Sequence, residues 1–147
     1  MHEGKARAFL DVNVVLDLLL AREPFVQDAL QIFALGEAGR AELLVSTDSI
    51  GTIFYIARRN ADASTAREAV LKLLGFVELE GLDERTVLRA MELDFSDLED
   101  ALVSAAAEKA GADVIVTRNG KDFGGSTVPV MDPKAFLAYI RASSEKS

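Results

Sequence analysis

The residues in this chain best suited to chemistry are its acids. Asp11 closes the short apolar run Ala8-Phe9-Leu10, and Asn13 stands just before the next one, Val14 to Leu20. A strand that ends in a carboxylate and turns straight into a helix aims that carboxylate into the crevice of an open α/β sheet, where such folds bind ligands. Capping of the helix by Asp11 or Asn13 is the plainer reading of the same residues. Asp97 and Asp100 stand three apart at the start of a helical pattern, so both lie on one side of its first turn. Acids there also stabilise a helix N-terminus. Asp100, however, directly precedes Ala101-Leu102-Val103, where the helix turns inward. A third polar point, Thr117-Arg118-Asn119-Gly120-Lys121-Asp122-Phe123, follows the clearest strand pattern. Carboxylates gathered on one sheet edge suit a divalent cation that activates water for hydrolysis.

Composition closes most other routes. The 147 residues contain no cysteine, which excludes disulfides, thiolate zinc sites and a cysteine nucleophile. This is compatible with a reducing compartment, and a cytoplasmic location is the expectation. The single histidine, His2, is next to the start and expected to fray, so histidine-centred hydrolysis loses its central residue. The first residues show no signal-peptide pattern, and no apolar run approaches a membrane span. A net charge of −8 argues against broad, nonspecific binding to nucleic acid. It leaves room for a small acidic site where a cation meets a phosphate.

The elements that must position these residues alternate along the chain. Strand patterns fall at Arg7–Asp11, Glu42–Ser46, Phe76–Leu79, Asp113–Thr117 and Val128–Met131. Helical patterns fall at Val14–Leu20, from Pro24, at Asp48–Arg59, from Thr65, from Asp83 and from Ser96, with a last one opened by Asp132-Pro133. Thr65-Ala66-Arg67-Glu68 and Ser96-Asp97-Leu98-Glu99 both read as capping boxes. The alternation predicts an α/β domain with a mostly parallel central sheet and helices on both faces. With half the residues apolar, one domain with a real core is expected, over 1–142, followed by a disordered tail over 143–147.

The sequence resembles the PIN-domain ribonucleases, the family that includes toxins of VapC-type toxin–antitoxin pairs, over nearly its whole length. Phe9-Leu10-Asp11-Val12-Asn13-Val14-Val15-Leu16-Asp17 is similar to the family's opening motif. Arg22-Glu23-Pro24-Phe25 and Val45-Ser46 through Tyr55-Ile56 resemble one bacterial subgroup. Asp97-Leu98-Glu99-Asp100-Ala101-Leu102 and Val116 through Phe123 resemble the third and fourth motifs. The resemblance implies a PIN-like fold and a metal-dependent endoribonuclease. Asp11 and Asp100 would hold Mg²⁺ or Mn²⁺, with Asp97 and Asp122 completing the catalytic acids. Asn13, Thr52, Thr117 and Asn119 would support the site, and Arg118 or Lys121 would meet the RNA backbone. It also implies a homodimer and a small antitoxin partner.

Two positions depart from the family pattern. Thr52 stands where many members have a glutamate, and Asn119 where an aspartate is usual, with Asp122 three residues on. Both changes remove negative charge from a cation site. They support a second reading, a catalytically weak or inactive PIN domain that binds RNA or protein. A phospho-accepting signalling domain fits less well, because it wants adjacent carboxylates where Asp11 has Val12 beside it.

Overall fold

The computed structural model describes residues 5–145, so the expectation for His2 lies outside the described residues. Five strands, β1 (Ala6–Leu10), β2 (Ala41–Ser46), β3 (Glu78–Glu80), β4 (Val114–Val116) and β5 (Val130–Met131), form one sheet in the order β3-β2-β1-β4-β5. Every pairing is parallel. Parallel neighbours cannot be joined by tight turns, so the helices α1 (Val12–Leu19), α2 (Val26–Glu37), α3 (Thr47–Asn60), α4 (Ala63–Leu73), α5 (Glu84–Glu92), α6 (Leu98–Lys109) and α7 (Pro133–Glu145) make the crossovers and the outer layers.

The strand β1 is central and its alternation divides the core. Ala8 and Leu10 face one side, with Leu16, Ile32, Phe33, Ile53 and Phe136 from α1, α2, α3 and α7. Phe9 faces the other, with Leu44, Ile115 and with Val103, Ala106 and Ala107 of α6. Small residues on α6 let that helix lie close to the sheet, while α5 packs on its outer side through Ala90, Ala101 and Ala105. All five strand ends point the same way. Asp11, Thr117 and Asp132, each directly after a strand, therefore lie on one edge.

Several boundaries differ from the sequence reading. The helix α4 begins at Ala63 with Asp62 as its cap, not at Thr65; the Asp62 carboxylate accepts from the Thr65 amide at 2.7 Å. A carboxylate three residues upstream is a better acceptor for an orphan amide than the expected threonine. The cap of α6 is Asp97 rather than Ser96. Pro24 precedes α2 by two residues instead of sitting in its first turn. The last helix runs through Ser143 and Ser144 to Glu145, past the expected start of the tail; residues 146–147 lie outside the described residues.

Candidate metal centre

Asp11 sits where β1 becomes α1, flanked by β2 and β4. Its amide continues the ladder by donating to the Val116 carbonyl at 3.0 Å. One side-chain oxygen, Oδ1, accepts from the Val12 amide at 2.8 Å and caps the helix. The other, Oδ2, accepts from the Thr117 hydroxyl at 2.7 Å. Thr117 is fully buried, and its Oγ1 also accepts from the Asn119 amide at 3.0 Å. Asp11 is thus both the cap of α1 and a carboxylate at the carboxyl edge of the sheet. Only 8% of the residue is exposed. Burial pushes its carboxyl above the usual range, the bonds from Thr117 and Val12 and the Arg118 charge pull it back, and Asp122 pushes it up again.

Asp97 and Asp100 have separate tasks. The Asp97 carboxylate accepts from the Asp100 amide at 3.0 Å, which ties one of its oxygens to the start of α6. The Asp100 carboxyl is pushed up to about 6, first by burial and then by the charges of Asp97, Asp11, Asp122 and Glu99. Asp11, Asp100 and Asp122 therefore share one field, although they come from three separate elements. Carboxylates that raise one another in this way gain from a cation among them. Asn13, in the first turn of α1, adds a buried Oδ1 with no hydrogen-bond partner. All of these donors are hard oxygens.

Among the described residues no three His, Asp or Glu side chains gather into a ready-made metal cage. Two carboxylates with water and substrate phosphate are nevertheless a usual setting for Mg²⁺, so the residues fit such an ion.

The structure places the other expected residues as follows. Thr52, on α3, donates to Glu99 Oε1 at 3.3 Å, so its helix does reach the first turn of α6. A carboxylate still stands beside the position that lacks one. Asn119 contributes its amide to Thr117, and its side chain is exposed, as is Asp122 in the 3-10 turn Gly120–Phe123. Arg118 does not reach outward to an RNA backbone. Its Nε and Nη2 donate to both oxygens of Asp17 at 2.6 and 3.0 Å, and its guanidinium lies 3.8 Å from the centre of the Phe25 ring.

Asp17 is the residue the sequence reading passed over. It is 1% exposed, with Arg22 a further 3.7 Å away. The available signal was an acid inside the apolar run Val14 to Leu20, since a buried carboxylate requires a partner.

With this geometry in place, the chain can be set beside known proteins. The family model for the PIN domain matches residues 7–121. Ribonuclease VapC1 of Aquifex aeolicus is 27% identical over 135 residues, which cover 88% of this chain and 92% of that protein. A chain of a toxin–antitoxin complex from Klebsiella pneumoniae superposes with a TM-score of 0.64 at 25% identity, over 86% of this chain and 97% of its own. A chain of the DNA-bound VapBC of Salmonella typhimurium gives a TM-score of 0.69 at 16% identity, over 87% and 98%. The Mycobacterium tuberculosis toxin VapC20, which cleaves the sarcin-ricin loop, gives 0.64 at 18% identity, over 83% and 98%.

Proposed function

The chain belongs to the PIN-domain family, and on that premise we propose that it is a divalent-metal-dependent endoribonuclease, the toxin of a toxin–antitoxin pair. The observation that carries this reading is the match of residues 7–121 to the PIN-domain model, with Asp11 at the end of β1 and Asp100 in the first turn of α6. The ribonuclease name of the Aquifex aeolicus relative supports RNA as substrate. The VapC-type neighbours, some of them from complexes with antitoxins, support a small protein inhibitor. A homodimer and a cytoplasmic setting belong to the same reading.

Asp11 and Asp100 would hold Mg²⁺ or Mn²⁺, which when bound lowers the pKa of a water and offsets charge on the phosphate. Thr117 orients Asp11 by donating to Oδ2, so this carboxylate does not have to be ordered when substrate arrives. Asp97 fixes the first turn of α6 and with it the Asp100 backbone. Asp122 would help hold the ion, directly or through its water, and Glu99 adds negative charge near Asp100. Lys121, exposed beside Asp122, takes the RNA-backbone contact that Arg118 does not make.

The test is incubation of a single-stranded RNA library with the protein and Mn²⁺, alongside Mn²⁺ titration by calorimetry. The parent is expected to cleave, and Asp11→Asn to lose both cleavage and most Mn²⁺ affinity. Absence of cleavage together with unchanged Mn²⁺ affinity in Asp11→Asn would overturn the proposal. The second reading, a binding module, rests on the neutral Thr52; RNA bound without cleavage by the Mn²⁺-loaded parent would select it.

A further inference from the structure

The edge that carries the carboxylates also carries a cavity that the proposed chemistry does not use. It measures about 290 Å³ and is lined by Phe25, Asp28, Arg118, Asp132, Pro133 and Lys134. Small-molecule sites begin at about 300 Å³, so it has room for one ring system. Two of its lining groups are stacked on each other, the Arg118 guanidinium lying over the face of the Phe25 ring at 3.8 Å from the ring centre. The stack is anchored through the guanidinium. Both oxygens of Asp17, itself buried, grip the guanidinium edge.

Phe25 remains 36% exposed, which is much for a phenylalanine so firmly backed. Lys134, also in the lining, has 83% of its side chain exposed and pairs with Asp28 at 3.2 Å. The Asp132 carboxylate is held by the Ala135 amide at 2.7 Å. Arg118 directly follows Thr117, the residue that holds Asp11, so the cavity adjoins the acidic site along the same strand end.

An anchored aromatic and guanidinium stack beside an exposed cation is the combination that single-stranded RNA uses: the base stacks and the phosphate pairs. We propose that this cavity is a nucleotide subsite, in which a base flanking the scissile phosphate extends the Phe25–Arg118 stack on its exposed side while its phosphate meets Lys134. The assignment rests on the ribonuclease reading above and adds where the substrate strand runs, from the carboxylates across Arg118 toward the start of α7. An RNA strand is favoured over a protein segment because the cavity continues the hydrolytic edge and pairs a stacking plane with a cation.

The experiment is steady-state cleavage of a short fluorescein-labelled single-stranded RNA with Mn²⁺ by the parent, Lys134→Ala and Phe25→Leu. Lys134→Ala removes only a surface cation. It should raise KM with kcat held, and reduce the dependence of log affinity on log salt by about 0.7, the value of one phosphate contact on a single strand. Phe25→Leu keeps an apolar support under Arg118 but loses the ring, and should raise KM about 5-fold or more, as expected for one stacked base.

An unchanged KM in Lys134→Ala overturns the subsite even if Phe25→Leu fails to fold. It is also the result expected if this surface serves a protein partner. Cleavage by the parent with unchanged KM in both variants removes the subsite and leaves the ribonuclease reading standing. A parent that neither cleaves nor binds the RNA removes both.

Discussion

With its carboxyl pushed up to about 6, Asp100 should tie the proposed cation binding to pH. Below that value it is protonated and cannot serve as a ligand, so Mn²⁺ affinity should fall as pH drops through about 6 and level off above it. Calorimetry across that range checks this. The same shift has the opposite consequence for the metal-free fold. A carboxyl whose folded value is raised favours folding most fully below the ordinary value of 3.8, and that contribution is lost as pH rises toward 6. In chelator, Asp100→Asn should therefore be more stable than the parent near neutral pH and indistinguishable at about pH 3, by urea unfolding. Asp97 differs in kind. Asp97→Ala should cost about 1 kcal/mol through the lost helix cap and reduce cleavage less than Asp100→Ala; equal loss would put Asp97 among the ligands. The sequence made Asp11 and Asp100 visible because each stands beside an apolar run that fixes its side. It could not separate Asp97 from Ser96 as cap, since neighbouring hydroxyl and carboxylate both satisfy the pattern.

Between elements, the pair Asp17–Arg118 fastens α1 to the loop after β4 across 101 positions of sequence. The Asp17 carboxylate is 1% exposed and Arg118 partly buried, so breaking the pair costs about 3 kcal/mol, the lower end for buried ion pairs. Asp17→Ala should therefore lower unfolding free energy by roughly that amount, and Arg118→Lys by less, because the charge survives while the two-pronged grip and the stacking on Phe25 are lost. Chemical denaturation at neutral pH measures both. A change below about 0.5 kcal/mol in Asp17→Ala, the usual range for surface substitutions, would show that the fastening is incidental. This tie was not legible in the sequence: helix and strand periodicities describe neighbours, and no local pattern joins residues so far apart. The same limit explains Thr52, whose helix was placed at the right edge but whose partner, Glu99, comes from α6.

For the molecule as a whole, alternation of apolar runs was enough to give the layers, the parallel sheet and the shared edge, because crossovers between parallel strands allow little else. The net charge of −8 bears on how RNA is met. With Lys121 and Lys134 as the phosphate contacts, log affinity against log salt should have a slope of about −1.4 on a single strand. A slope steeper than about −3, from fluorescence anisotropy at several salt concentrations, would mean a broad basic track that this surface lacks. The sheet's margins carry a further consequence. The outer strand β5 has two residues, and β3 has three with Glu78 and Glu80 among them. Neither margin offers enough free amide and carbonyl groups to recruit a neighbour's strand, and the charges on β3 disfavour it further. Strand addition at either margin is thereby disfavoured in the native state, which points self-association and capture by another protein to surfaces other than the sheet edges.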